Sequence, residues 1–107
     1  MLLAVRDARI KLVLAIAAPV DFNRLEIRTR YAGQFRCQFI DNKTPEASRS
    51  RVLASSPLHF PVLPSVRKVF LFHGSADDVV PVWNATEMDA RLQDQGVPTE
   101  LRIFEGY

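Results

Sequence analysis

Residues 69–81, with the sequence VFLFHGSADDVVP, decide the fold of this chain. The first five, Val69–His73, form a continuous apolar run that ends in a histidine. Such a run, without polar alternation, is typical of a strand in a parallel sheet, which is covered on both faces. Gly74 ends the run and an acidic turn follows. Catalytic groups in open parallel sheets lie just beyond the carboxyl ends of the strands, so candidate catalytic residues are expected in this turn.

Two more strands and a helix are predicted around this segment. Lys11–Ala18 (KLVLAIAA) is a second continuous apolar run, and Glu100–Phe104 (ELRIF) is a third strand with Leu101 and Ile103 on one face. The helix predicted over Pro81–Gln95 repeats apolar residues at helical spacing: Val82, Ala85, Met88 and Leu92. Gly96 is placed to end it. Long connections between the strands predict three parallel neighbours in one α/β sheet.

Two shorter helices are predicted outside this core. Leu2–Val5 has the pattern of apolar helical turns that end at the charged run Arg6–Lys11. Thr44 is placed as an N-cap with Pro45 at the first helical position, which predicts a short helix to about Ala54.

The composition excludes several classes of protein. The 107 residues are 48% hydrophobic and 24% charged, as in a globular domain, and unlike a disordered tail or a multi-pass membrane protein. A chain of this length builds one core.

The net charge of +2 is too small to argue for nucleic acid. Four glycines leave little material for phosphate or dinucleotide loops, and the single Cys37 offers no metal cluster, so no cofactor or metal is predicted. Cysteine usage favours a reducing, cytoplasmic compartment without fixing the location.

Two segments have alternative interpretations. The first twenty residues superficially resemble a secretion signal, but four charges follow the apolar start and Leu12–Ala18 is only seven residues long. A signal peptide is therefore disfavoured, and a membrane-spanning helix needs about 20 apolar residues. The basic stretch Arg24–Arg51 could contact phosphates, but a solvated loop or helix face is favoured. We therefore predict no membrane and no nucleic-acid partner.

The pattern H-G-x-x-D-x-x-V-P over residues 73–81 resembles the acid turn of the α/β-hydrolase superfamily, in which an aspartate orients the triad histidine. Residue by residue, the triad acid falls on Asp77. Residues 96–106 are similar to the family's helix end, final strand and approach to the catalytic histidine. Ser55-Ser56-Pro57-Leu58 resembles the segment that precedes this strand in prolyl-oligopeptidase-like members, and residues 6–22 resemble the end of the nucleophile helix with the strand after it.

Two parts of the family pattern are not matched. The nucleophile elbow, G-x-S-x-G, needs glycines four residues apart, and the glycines here are Gly33, Gly74, Gly96 and Gly106. Neither His59 nor His73 follows the last strand, where the family has its base. The resemblance therefore implies that residues 1–107 are the C-terminal part of a single α/β-hydrolase catalytic domain. We expect a partial α/β-hydrolase fold of about three parallel strands with flanking helices.

The resemblance implies a serine hydrolase, nearest to prolyl-oligopeptidase-like serine peptidases, acting by acyl transfer through a Ser-Asp-His triad. Its substrate would be a peptide or an ester, and its partner the remainder of its own catalytic domain. The chain as given lacks two triad members and is predicted to be inactive. The alternatives are a carboxylesterase of the dienelactone-hydrolase type and a non-catalytic remnant that acts as a binding domain.

The same residues also have structural interpretations. Asp77 could cap the helix that begins near Pro81, and Asp78 is expected to be a solvated neighbour. His73 is expected to be a hydrogen-bonded structural histidine, and a compact triad with Ser75 and Asp77 is disfavoured because no oxyanion-hole glycines accompany it.

Trp83, outside this turn, suits helix packing as well as substrate contact. Ser55, Ser56 and Cys37 have no assignable base nearby in the sequence, so they are not expected to be nucleophiles.

Overall fold

The computed structural model describes residues 1–22 and 45–107. Helix α1 spans Leu2–Arg6, strand β1 Leu12–Ile16, helix α2 Pro45–Ala54, and a short 3₁₀ helix Pro57–His59. Strand β2 spans Lys68–Gly74, helix α3 Trp83–Asp94, and strand β3 Thr99–Phe104. The predicted cap Thr44, Cys37, and the part of the basic stretch from Arg24 to residue 44 lie outside the described residues.

The three strands form one parallel sheet in the order β1-β2-β3. Val13 lies opposite Val69, and Leu71 lies between Ala15 and Leu101. This confirms the predicted fold class, a parallel α/β sheet with flanking helices. The strand bounds differ from the predicted ones by no more than two residues at either end.

Helix α3 packs on the sheet through the predicted stripe, because Ala85, Met88 and Leu92 are buried. Val82 was expected on this stripe, but it lies one residue before the helix and is half-buried. The Asn84 and Ala85 N–H groups bond the carbonyls three residues earlier, those of Pro81 and Val82, so the chain enters the helix through a tighter 3₁₀-type turn and the α-helix begins at Trp83. At the other end, Gly96 (φ +75°) allows the Gly96 and Val97 N–H groups to bond the carbonyls of Gln93 and Leu92. This arrangement confirms Gly96 as the residue that ends the helix.

The two faces of the sheet differ. Val13, Ala15, Val69 and Leu71 face the buried core with helix α3. On the other face Leu12, Leu14 and Ile16 are 65%, 63% and 69% exposed, and the Phe72 and Phe104 rings stack with centroids 6.2 Å apart. An apolar run of this kind is typical of a strand covered on both faces, and within the described residues β1 is covered on one face only. An apolar run identifies the strand but does not say which elements cover it.

A charged cluster lies across β2 and β3. The Arg102 guanidinium donates to Glu100 at 2.9 Å, and the Lys68 ammonium lies 3.5 Å from the same carboxylate. The hydrogen bond from Arg102 holds the pKa of Glu100 below its ordinary value. Across residues 1–22 and 45–107, no helix is both long enough and apolar enough to cross a membrane.

Candidate functional site

Asp77 lies in the turn at the carboxyl end of β2, where the sequence placed the candidate acid. Its Oδ1 accepts the N–H groups of Val79 and Val80, both at 2.9 Å. Its Oδ2 lies 3.7 Å from His73 Nε2, too far for a hydrogen bond. The side chain is 19% exposed. The carboxylate is therefore fixed by backbone donors through one oxygen and remains partly accessible.

The structure does not support the interpretation of Asp77 as a helix cap. The amides that Asp77 bonds belong to residues 79 and 80, whereas helix α3 begins at Trp83. Val82 occupies the N-cap position and makes no side-chain cap hydrogen bond. Asp77 therefore orders its own turn, ahead of the helix. Asp78, the neighbouring acid, is exposed as expected.

His73 is held inside the protein and is turned toward the backbone of the same turn. Its side chain is 1% exposed, and Nε2 lies 2.6 Å from the Val80 carbonyl oxygen. A carbonyl oxygen can only accept, so Nε2 carries the proton and donates it. This confirms the expectation of a hydrogen-bonded structural histidine. An imidazole held in this way has no free Nε2 with which to take a proton from a nucleophile.

The turn lies against the segment that follows β3. Ser75 N–H bonds the Phe104 carbonyl at 2.9 Å, and Ala76 N–H bonds the Tyr107 carbonyl at 2.7 Å. Ser75 Oγ accepts the Gly106 N–H at 3.0 Å, so this hydroxyl has a structural partner. A Cβ on Gly74 would lie 2.1 Å from the Tyr107 oxygen, so only glycine allows this close approach. Asp77 therefore lies next to the backbone of residues 104–107.

Sequence reasoning missed Asn84, which is fully buried in the first turn of α3. Its Oδ1 accepts the Val20 N–H at 2.9 Å, and its Nδ2 donates to the Pro81 carbonyl at 2.8 Å. Asn84 therefore connects the segment after β1 to the end of the acid turn. One signal was present in the sequence. Residues 84, 88 and 92 are four apart, which places this asparagine on the buried face of the helix.

A second Asp–His pair, also missed, lies beyond the carboxyl end of β1. Asp21 Oδ2 is 3.3 Å from His59 Nε2, and the side chains are 4% and 41% exposed. The pair lies in a cavity of about 470 Å³, lined by Asp21, Arg49, Ser50, Val52, Leu53, Ser56 and His59. Ser56 Oγ donates to the Val52 carbonyl at 2.6 Å and accepts the Phe22 N–H at 3.0 Å. Ser56 is fully buried, which agrees with the expectation that it is not a nucleophile.

Trp83 packs against the core cluster, as one of its two interpretations predicted. Within residues 1–22 and 45–107, no group of three or more His, Cys, Asp or Glu side chains is arranged to hold a metal ion.

Comparisons with known proteins agree with this architecture. The sequence model of the prolyl oligopeptidase family matches residues 1–107. An acylaminoacyl peptidase, solved in complex with Z-Gly-Gly-Phe-chloromethyl ketone, superposes with a TM-score of 0.77 at 16% identity, over 98% of this chain and 17% of that chain. A puromycin-hydrolyzing peptidase of Mycobacterium tuberculosis superposes with a TM-score of 0.71 at 20% identity, over 96% of this chain and 15% of that chain. At these identities the likeness concerns the fold, and the chain spans about a sixth of the length of each neighbour. No curated protein matches the chain.

Proposed function

Because the chain belongs to the prolyl oligopeptidase family, we propose that it is part of a serine-hydrolase catalytic domain in which Asp77 is the triad acid. The observation that carries the proposal is the state of the Asp77 carboxylate. Two backbone N–H groups fix Oδ1, and the side chain remains 19% exposed at the carboxyl end of a central strand. A carboxylate held in this way can accept a hydrogen bond from an imidazole that comes from outside the turn.

In the proposed reaction a serine attacks the substrate carbonyl and a histidine takes the serine proton. The histidine then donates this proton to the leaving group. Asp77 accepts the Nδ1–H of that histidine, which selects the reactive tautomer and stabilises the imidazolium as it forms. His73 is not this histidine in our proposal, because its Nε2 donates to the Val80 carbonyl. No metal or cofactor takes part in these steps.

The contacts of the turn support a position for the triad histidine. Tyr107 accepts the N–H of Ala76, the residue before Asp77, so the backbone at Tyr107 runs beside the acid turn. We propose that the histidine follows Tyr107 within a few residues, and that the serine lies in a G-x-S-x-G elbow before Met1. Residues 1–107 would then be the C-terminal part of one catalytic domain. The remainder of that domain would cover the exposed face formed by Leu12, Leu14 and Ile16.

For the substrate we propose a peptide, because the family and both structural neighbours are peptidases. A carboxylesterase would use the same triad, so the two activities differ in the leaving group and in the residues that bind it. A non-catalytic binding domain would retain the fold without a reactive serine.

The test compares the complete protein with the isolated 107 residues. Each is treated with a fluorophosphonate probe and assayed with an activated ester and a series of peptide p-nitroanilides. We expect the complete protein to be labelled on one serine before Met1 and to cleave peptides, and the isolated chain to show neither property. Labelling of the isolated chain would contradict the proposed boundaries. A complete protein without labelling or turnover would favour the binding domain, and ester cleavage without peptide cleavage would favour the esterase.

A further inference from the structure

We infer that Asn84 is a positioning residue, which sets the place of the Asp77 carboxylate by tying the acid turn to the segment after β1. The structural part of this inference rests on hydrogen bonds between described residues. Its catalytic part rests on the proposed function, since it matters for turnover only if Asp77 is the triad acid.

Asn84 bridges two loops that have no covalent connection near the site. On one side its Oδ1 accepts the N–H of Val20, 64 residues earlier in the chain. On the other side its Nδ2 donates to the Pro81 carbonyl at 2.8 Å, the end of the acid turn. The side chain has no exposed surface, so water cannot replace either partner without a local opening of the fold.

The backbone just before Pro81 is hydrogen-bonded to the Asp77 carboxylate. Val80 N–H and Val79 N–H bond Asp77 Oδ1, so the carboxylate follows the backbone of residues 79 and 80. His73 holds the Val80 carbonyl, and Asn84 holds the carbonyl of the next residue. Two buried side chains thus fix consecutive peptide groups, and Asn84 also ties them to the segment that follows β1.

The chemistry of the bridge requires an amide. One atom must accept from Val20 and another must donate to Pro81, and asparagine does both at this length. Alanine would leave the Val20 N–H without its partner, and it would remove one of the two hydrogen bonds that the Pro81 carbonyl accepts, the other coming from the Asn84 backbone N–H. An ionised aspartate would keep the acceptor for Val20 but would turn a second acceptor toward the Pro81 oxygen. Since displacement of a catalytic group by about 1 Å can cost about 100-fold in rate, a loosened turn has a measurable consequence.

The experiment uses the complete protein and four substitutions. Asn84→Ala removes the bridge, and Asn84→Asp removes only its donor. Thr99→Val is the matched control, because it also deletes a side-chain hydrogen bond to helix α3. Thr99 lies at the start of β3, and its Oγ1 donates to Asp89 of this helix at 2.7 Å. Asp77→Asn supplies the background for a double-mutant cycle. Hydrogen exchange is followed by mass spectrometry in peptides that cover residues 76–82, and serine reactivity by the rate of fluorophosphonate labelling.

We expect Asn84→Ala and Asn84→Asp to speed exchange in residues 76–82 and to slow labelling by about 10- to 100-fold. Thr99→Val should change labelling by no more than about twofold. In the Asp77→Asn background, Asn84→Ala should slow labelling by no more than about twofold, because the acid it positions is already lost. An equal loss with and without Asp77 would show a merely structural role and overturn the inference, as would unchanged exchange in the turn. If the wild-type protein is not labelled, the proposed function fails, and the exchange measurement alone decides whether Asn84 holds the turn.

Discussion

Two Asp–His pairs lie at the carboxyl ends of neighbouring strands, and their burial is inverted. Beyond β1, the Asp21 carboxylate is 4% exposed and the His59 imidazole is 41% exposed. At the end of β2, the His73 imidazole is 1% exposed and the Asp77 carboxylate is 19% exposed. The separation between Nε2 and Oδ2 is 3.3 Å in the first pair and 3.7 Å, beyond hydrogen-bond distance, in the second. The two pairs differ most in which member is accessible.

The accessible member decides what each pair can do for a bound molecule. A partly exposed carboxylate with one oxygen fixed by backbone donors can orient an incoming imidazole, which is the work of a triad acid. A partly exposed imidazole beside a buried carboxylate can exchange protons with whatever enters its cavity. The first arrangement supports the proposed role of Asp77, and the second is a rival that experiment can exclude.

The largest expected effect comes from the accessible carboxylate. In the complete protein, Asp77→Asn should lower kcat by about 10⁴, because the triad histidine then adopts the wrong tautomer. The fold should survive, since an amide oxygen can still accept the Val79 and Val80 N–H groups. The measurements are steady-state kinetics with a peptide substrate and a thermal melt of the same preparation.

Asp78→Asn is the control for this substitution, because Asp78 is the adjacent acid and is exposed. It should lower kcat far less than Asp77→Asn does. Equal effects, or a larger effect at Asp78, would show that the wrong acid has been assigned and would remove the functional contrast between the two pairs.

The sequence was sufficient for the fold because the decisive signals are local. Continuous apolar runs placed β1 and β2, and spacings of three and four residues placed the buried side of α3 at Ala85, Met88 and Leu92. Coverage of β1 could not be read from its own residues, since the elements that pack on a strand come from elsewhere in the chain. Leu14, for example, belongs to the apolar run of β1 and yet is exposed.

The candidate site was predictable only where one short segment carries it. Asp77 and its backbone partners all lie within residues 77–80, and the family resemblance that pointed to this candidate acid rests on the single segment 73–81. The bond between Asn84 and Val20 and the pair of Asp21 with His59 join residues that are distant in sequence. Without the tertiary fold, nothing in their spacing indicates that they meet.

The buried imidazole should have the next largest effect, and the effect should be on stability. His73→Leu removes the donor to the Val80 carbonyl and leaves that oxygen without its partner in a buried site. We expect a loss of about 1–3 kcal/mol in the free energy of unfolding. Chemical denaturation of the complete protein measures it. An unchanged midpoint would mean that the hydrogen bond contributes nothing and that the inverted burial has no energetic meaning.

The buried carboxylate should show a smaller loss of the same kind. Asp21→Asn keeps an oxygen that can accept a hydrogen bond from His59, but it weakens a charge-assisted contact to a neutral one. We expect about 1 kcal/mol of destabilisation and a kcat near that of the wild type, since Asp21 lies outside the proposed triad. The same denaturation and kinetic assays apply. A fall in kcat comparable to that of Asp77→Asn would transfer the role of triad acid to Asp21.

The smallest expected effect is that of His59→Ala, which removes the accessible member of the first pair. A contact whose imidazole is 41% exposed is screened by water, so we expect a loss of no more than about 1 kcal/mol in the free energy of unfolding. The rate should also be preserved, because in our proposal the triad histidine follows Tyr107 and bonds Asp77. Measuring kcat and KM for His59→Ala beside Asp77→Asn gives the sharpest form of the comparison. A change confined to KM would place His59 near bound substrate, since the imidazole lines a cavity of about 470 Å³. Loss of kcat together with loss of serine labelling would identify His59 as the base oriented by Asp21, and the inverted burial would then mark the β1 pair, not Asp77, as the catalytic one.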